Sequence, residues 1–79
     1  MNKAKLLYAI DGFDQVDAVE IAETLELTYS AAAMALLRAV RQDLATRYRD
    51  SVSGLYVYEL TPKGEARLDY LLEAEIDDE

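Results

Sequence analysis

The segment that decides the fold is residues 17–44, which read DAVEIAETLELTYSAAAMALLRAVRQDL. Asp17 and Glu20 have the spacing of a capping box, in which each side chain accepts a hydrogen bond from the other residue's backbone N–H at a helix start. Thr28 is a good N-cap for a second helix, predicted over 29–43. The segment is therefore predicted to form two helices joined by a short polar corner.

The second of these helices has small and apolar side chains on the side expected to face the core. These positions are Ala32, Leu36 and Ala39, and the alanines allow the preceding helix to approach closely. Two helices packed across a short corner form a helix-turn-helix, which many proteins use to place the second helix in the DNA major groove. DNA binding is therefore one class of function that the segment indicates.

The flanking sequence predicts the remaining elements. A first helix is predicted over 2–11, ended by Gly12 in a left-handed turn. Phe13, in the connector that follows, is expected to pack in the core against this helix. After Leu44 the apolar period changes from helical to alternating, which predicts a β-hairpin with strands 45–49 and 55–60. The second strand places three apolar side chains on one face, expected to be the inner face of the hairpin: Tyr56, Tyr58 and Leu60.

The last helix begins at Thr61 and Pro62, an N-cap followed by proline at the first helical position. It is predicted to run to about Glu75, with leucines on its apolar side. We therefore expect a single winged domain over residues 1–75, followed by an acidic disordered tail at 76–79.

Composition excludes several classes of chemistry. The 79 residues include neither Cys nor His, which removes disulfides, thiolate or imidazole metal sites, and Cys or His nucleophiles. The acidic residues are spread along polar helix faces with no Gly-rich loop beside them. We therefore expect no enzyme activity, no cofactor, no metal and no small-molecule ligand. The longest apolar run, 31–37, is far too short to cross a bilayer, so we expect no membrane association and a cytoplasmic location.

Charge is distributed unevenly along this acidic chain. The net charge is −8, from 8 basic and 16 acidic residues, which argues against a simple nucleic-acid binder. Residues 38–49 are the exception, because they carry four arginines against the single carboxylate of Asp43, a balance of +3. Any contact with a nucleic acid is therefore expected from the end of the second helix of the pair and from the hairpin that follows.

The order of elements and three segments resemble winged helix-turn-helix domains of the MarR/PadR-like regulator type. The segments are 16–28 at the entry to the helix-turn-helix, 36–44 running without a gap into the hairpin, and 58–64. The last of these, YELTPKG, closely resembles the junction between wing and final helix in that family. The resemblance covers about residues 4–72 and implies an α+β, mainly helical fold: three helices, a β-hairpin wing and a C-terminal helix.

For function, the resemblance implies a DNA-binding transcriptional regulator, with helix 29–43 in the major groove of double-stranded DNA and wing 45–60 on the phosphate backbone. It implies base-edge contacts by Tyr29, Ser30, Ala33 and Met34, and phosphate contacts by Arg38, Arg41, Arg47 and Arg49. Glu26 departs from the family, which often has Gly at the corner. The start of helix 29–43 also departs, since it lacks the Arg, Asn or Gln that read bases through two hydrogen bonds.

A second hypothesis follows from the apolar character of helix 29–43. Beyond its core-facing side, the helix carries further apolar residues, and a helix that is apolar on two sides is usually buried on two sides. The domain would then be a protein-interaction or homodimerisation module without DNA binding. Its interface would be formed by this helix, through Leu37 and Val40, or by the last helix, through Leu68, Leu71 and Leu72.

Overall fold

The computed structural model describes residues 3–13 and 15–77. These residues form four α-helices and one antiparallel hairpin, so the predicted α+β, mainly helical winged architecture is confirmed. The elements are α1 (Lys3–Asp11), α2 (Ala18–Leu25), α3 (Tyr29–Arg41), β1 (Ala45–Arg49), β2 (Tyr56–Leu60) and α4 (Pro62–Asp77).

The two helix starts predicted in the helix-turn-helix are confirmed. The backbone N–H of Glu20 donates to Asp17 Oδ1 at 2.9 Å, and the Asp17 N–H donates to Glu20 Oε1 at 3.1 Å, which completes the capping box. The Ala31 N–H donates to Thr28 Oγ1 at 3.1 Å at the start of α3. Each cap satisfies a backbone group that would otherwise lack a partner.

The corner between α2 and α3 is turned by a residue in the left-handed region. Glu26 has φ 56° and ψ 48°, and the next residue, Leu27, donates its N–H to the Ala22 carbonyl at 2.8 Å. Residues other than glycine occupy this region at a cost of roughly 1–2 kcal/mol. The absence of Gly from the corner therefore leaves strain at Glu26.

We expect Glu26→Gly to raise the free energy of unfolding by about 1 kcal/mol, because glycine adopts the left-handed conformation without the Cβ penalty. For a domain of this size the midpoint of thermal unfolding should rise by roughly 4–8 °C. Circular dichroism melts would measure it, with Glu26→Ala as the control that retains the penalty. Equal midpoints of thermal unfolding for the Gly and Ala variants would show that Glu26 is not strained.

The core lies where α1, α2, α3 and the base of the hairpin meet. Four residues of α3 face it, because Ala35 joins the three predicted positions: Ala32, Leu36 and Ala39. A second, smaller cluster of Leu7, Leu44 and Leu68 joins α1 to α4 through the end of the helix-turn-helix. The main core therefore holds α3 against α1, α2 and the base of the hairpin, and the smaller cluster joins α1 to α4.

The hairpin is attached to α2 by a backbone bridge. Val16 and Tyr58 exchange two hydrogen bonds, from Val16 N to Tyr58 O at 3.1 Å and from Tyr58 N to Val16 O at 2.7 Å. Both side chains are buried. The entry to α2 and the second strand of the wing are therefore held together directly.

The backbone segments are closely packed at the wing-to-helix junction. The Thr61 hydroxyl donates to the Asp43 carbonyl at 2.7 Å and accepts from the Gly64 N–H at 2.9 Å, which confirms it as the α4 cap. The Thr61 N–H also donates to the Leu44 carbonyl at 3.1 Å. A Cβ atom placed on Gly64 would lie 1.9 Å from that same carbonyl oxygen, so only glycine fits.

Three expectations about local structure are wrong. Gly12 does not have a positive φ; in the described residues the left-handed positions are Glu26, Asp43 and Gly54. Phe13, expected in the core, is exposed. The last helix continues to Asp77, two residues into the tail predicted at 76–79, because no helix breaker follows Leu72. Residues 2, 78 and 79 of the predicted elements lie outside the described residues.

Candidate nucleic-acid interface

The outward side of α3 begins with hydroxyl and apolar groups and ends with positive charge. Tyr29 is 59 % exposed and Met34 46 % exposed, and Ser30 is exposed between them. Arg38 and Arg41 are exposed in the last turns of the helix. The surface therefore carries hydroxyl and apolar groups at the N-terminal end of α3 and cations at its C-terminal end.

The hairpin has two chemically different faces. The register pairs Arg47 with Tyr58 and Arg49 with Tyr56, so these four side chains share the face that carries buried Ala45 at the hairpin base. The other face carries Tyr48 and Glu59. The two wing arginines thus lie on the face turned toward the body of the domain, away from Glu59.

Both wing arginines stack on one aromatic ring. The Cζ atom of Arg47 lies 4.3 Å from the centroid of the Tyr56 ring, and the Cζ atom of Arg49 lies 5.0 Å from it. These distances are within the range of cation–π interactions. Arg49 Nη1 also donates to the Gly54 carbonyl at 3.3 Å, which ties that side chain to the hairpin turn.

The hairpin turn is ordered by its own hydrogen bonds. The Asp50 carboxylate accepts from the Ser53 N–H at 2.9 Å, and the Ser53 hydroxyl accepts from the Leu55 N–H at 3.2 Å. The hydrogen bonds from Ser53 lower the pKa of Asp50, so the carboxylate is charged at neutral pH. Gly54, with φ 75°, completes the turn in a conformation suited to glycine. The arginines therefore extend from a well-defined strand pair.

The two tyrosines beside the arginines have opposite electrostatic surroundings. A hydrogen bond from Arg49, followed by the charges of Arg49 and Arg47, lowers the pKa of the Tyr56 phenol below its usual value. On the other face, partial burial and then the carboxylates of Glu59 and Asp50 raise the pKa of Tyr48. The difference between these phenols reports on which face of the hairpin carries positive charge.

We expect Arg49→Ala to raise the pKa of Tyr56 toward the ordinary tyrosine value of about 10, because the substitution removes both the hydrogen-bond donor and the charge that lowers this pKa more. Tyrosine ring-carbon shifts followed by NMR between neutral and alkaline pH would measure it. Arg67→Ala, which removes one positive charge from α4 instead, is the control and should leave the pKa of Tyr56 unchanged. An unaltered Tyr56 titration in Arg49→Ala would show that the two side chains do not interact in solution.

A shallow cleft joins the wing to the start of α3. Tyr29 and Ala33 line it from α3, Tyr56 and Leu55 line it from the hairpin, and Val19 lines it from α2. Much of this lining is apolar and exposed, including Val19, Tyr29 and Leu55. The predicted reading helix and the wing therefore present one continuous surface.

The structure leaves most of the predicted DNA-binding residues exposed. Tyr29 and Ala33 line the cleft, whereas Ser30, Met34 and Arg38 line a separate hollow. Seven are exposed, namely Tyr29, Ser30, Met34, Arg38, Arg41, Arg47 and Arg49. Ala33 is half-buried against the core, so only part of its methyl group is accessible. Tyr56 was expected to face inward; it shares the inner face but is 40 % exposed, because it lies toward the hairpin turn, beyond buried Tyr58.

The predicted protein-interface residues are less accessible than expected. Leu68 is only 4 % exposed and packs with Leu7 and Leu44, so it is a core residue and not part of an interface. Leu71 and Leu72 pack against the same cluster, and Val40 packs against the main core. Leu37 is half-buried. The leucines of α4 thus pack largely against α1 within the domain.

One further cavity is apolar. An open hollow of about 400 Å³ lies between α1, the end of α2 and α4, lined among others by Tyr8, Phe13, Leu25 and Leu72. Its lining is almost entirely apolar and lacks the convergent polar groups that orient a ligand. Within residues 3–13 and 15–77 no cluster of acidic side chains is placed to bind a metal, and no helix is long and apolar enough to cross a membrane.

Comparison with known proteins supports the fold assignment. No protein-family model matches the sequence, and no curated protein matches it. Solved structures do match: the multiple antibiotic resistance repressor MarR superposes with a TM-score of 0.84 at 21 % identity, covering 95 % of this chain and 55 % of that one. A MepR-like protein complexed with pseudoligands superposes with a TM-score of 0.82 at 28 % identity, covering 90 % of this chain and 51 % of that one. The C80S mutant of MarR from E. coli, complexed with operator DNA, superposes with a TM-score of 0.79 at 22 % identity, covering 85 % of this chain and 49 % of that one.

The chain is a winged helix-turn-helix domain. Its fold is that of the MarR-type regulators, as the sequence resemblance predicted. It spans about half the length of the solved structures that it matches.

Proposed function

We propose that this domain binds double-stranded DNA as part of a transcriptional regulator, with α3 in the major groove and the hairpin wing on the phosphate backbone. The observation that carries the proposal is the exposure of all four arginines of segment 38–49: Arg38 and Arg41 at the end of α3, and Arg47 and Arg49 on β1. The similarity to MarR in complex with operator DNA supports it. Direct base readout would be limited to hydroxyl and apolar contacts by Tyr29, Ser30 and Met34.

The test is an NMR titration of the amide-labelled chain with a mixed-sequence duplex at low and at moderate salt. We expect shifts concentrated in residues 28–49 and around Tyr56. Four phosphate contacts give a slope of log K against log salt of about −3.6, so a threefold rise in salt should weaken binding roughly 50-fold. A duplex that causes no shifts at low salt would sink the proposal.

A protein-interaction role is the second candidate, favoured by the exposed apolar side chains of Val19, Tyr29, Met34 and Leu55. Such a patch is typical of a partner surface. A second copy of this chain is the partner to examine first. Sedimentation velocity over a range of concentrations should then show a dimer for the wild type and a monomer for Met34→Glu. Identical monomers for both would eliminate self-association through α3.

A further inference from the structure

The wing holds two guanidinium groups against a single ring that the resemblance did not assign to DNA binding. Arg47 and Arg49 are two residues apart on β1, and both place Cζ within 5.0 Å of the Tyr56 ring centroid on β2. Two like charges this close repel each other in the absence of a common partner. The π face of Tyr56 supplies that partner, and the Arg49 bond to Gly54 fixes one of the two further.

The stack lies on a particular face of the hairpin. Tyr56 lines the cleft that Tyr29 and Ala33 line from α3. Both arginines share its face of the hairpin, whereas Tyr48 and the Glu59 carboxylate lie on the other face. The stack therefore places the positive charge of the wing on the hairpin face of the cleft residue Tyr56 and on the opposite face from Glu59, the acidic residue of β2.

We propose that Tyr56 is a positioning residue that holds Arg47 and Arg49 together as a preformed contact for the phosphodiester backbone on the α3 side of the wing. The proposal rests on the proposed function and adds to it the residue that organises the wing. It assigns Tyr56 no contact of its own with a base or phosphate.

Stacking suits this role because it leaves the hydrogen-bonding edges of the guanidinium groups available. A guanidinium carries five N–H donors in a planar fork that matches phosphate oxygens, and its flat face can stack on a ring at the same time. Arg49 gives one donor to the Gly54 carbonyl and one to the Tyr56 phenol, which leaves others of its five N–H groups for phosphate oxygens. Arginines ordered before DNA arrives lose less conformational freedom on binding, which strengthens the complex without a new contact.

The experiment measures the dissociation constant of a labelled mixed-sequence duplex by fluorescence anisotropy at low salt. We expect Tyr56→Leu to weaken binding about five- to tenfold, from the loss of two exposed cation–π contacts. Tyr56→Phe keeps the ring and should stay within about twofold of wild type. Tyr48→Leu, on the opposite face, is the matched control and should bind like wild type.

A double-mutant cycle separates positioning from direct contact. In an Arg47→Ala, Arg49→Ala background, Tyr56→Leu should cause no further loss, because there is nothing left to position. A loss that persists in that background would overturn the proposal and make Tyr56 a direct DNA contact. Wild-type affinity in Tyr56→Leu, or a Phe variant as weak as the Leu variant, would overturn it equally.

The free protein provides a readout that does not depend on DNA. Ring currents from Tyr56 should shift the side-chain protons of Arg47 and Arg49 in NMR spectra of wild type and Tyr56→Phe, and the shifts should vanish in Tyr56→Leu. Ring-current shifts without any DNA binding would sink the proposed function and leave a purely structural stack. DNA binding without these shifts would overturn the positioning role alone.

Discussion

Gly64→Ala should destabilise the domain by about 3 kcal/mol, although the same change at an exposed helical position ordinarily stabilises by about 1 kcal/mol. The added Cβ would lie 1.9 Å from the Leu44 carbonyl oxygen and 2.9 Å from its carbon, and both atoms belong to backbone that other contacts hold in place. The Thr61 N–H already donates to that carbonyl, and the Thr61 hydroxyl bonds the preceding residue, Asp43. Relief of the overlap therefore requires the end of the helix-turn-helix to separate from α4.

The loss is large for a domain of this length, whose whole free energy of unfolding is expected to be roughly 4–12 kcal/mol. Urea unfolding followed by circular dichroism would measure it. Gly12→Ala is the matched control, because its Cβ would meet only the carbonyl oxygens of Ala9 and Tyr8, at an ordinary 3.6 Å. We expect that variant to remain within about 0.5 kcal/mol of wild type. Equal unfolding midpoints for the two alanine variants would refute the close approach at Gly64.

Removal of both wing arginines should produce the largest change in DNA affinity. For Arg47→Ala, Arg49→Ala we expect roughly 30-fold weaker binding at low salt, at about 1 kcal/mol for each lost contact. The slope of log K against log salt should change from about −3.6 to about −1.8, because two fewer counterions are released. Anisotropy titrations at several salt concentrations give both quantities.

The control for net charge is Lys63→Ala, Arg67→Ala, which removes two exposed cations of α4. Both double variants change the net charge from −8 to −10. If the wing contacts phosphates, only the hairpin variant loses salt dependence. An equal loss in the two would mean that DNA responds to the overall charge of the chain and that the wing has no particular role.

Features that depend on neighbouring residues in the sequence were predictable. The capping box of Asp17 and Glu20, the Thr28 cap and the Thr61 cap each involve side chains and backbone groups within one helical turn. The α3 core face followed from helical periodicity. Such features require no knowledge of what lies across the domain, and together they specify the helix-turn-helix.

Features that depend on distant contacts were missed. Leu68 was assigned to an interface because its burial by Leu7, more than fifty residues earlier in the chain, leaves no mark in the local pattern. Tyr56 alternates correctly with Tyr58, but its exposure depends on how far the hairpin extends beyond the body. Counting from the turn would have indicated it, since Tyr56 lies two residues beyond Gly54 and close to the hairpin turn. The left-handed backbone conformation of Glu26 was not predicted, because glycine is the usual sequence signal for it.

The bridge between Val16 and Tyr58 restricts how the domain can adapt to a target. A swing of the wing relative to α2 would break two backbone hydrogen bonds and open fully buried Val16 to water. If α3 and the wing engage DNA as proposed, the distance between their contacts is therefore set by the protein. The duplex must then adjust its groove width, so discrimination among sequences should follow how easily each one deforms, even at base pairs that no side chain touches.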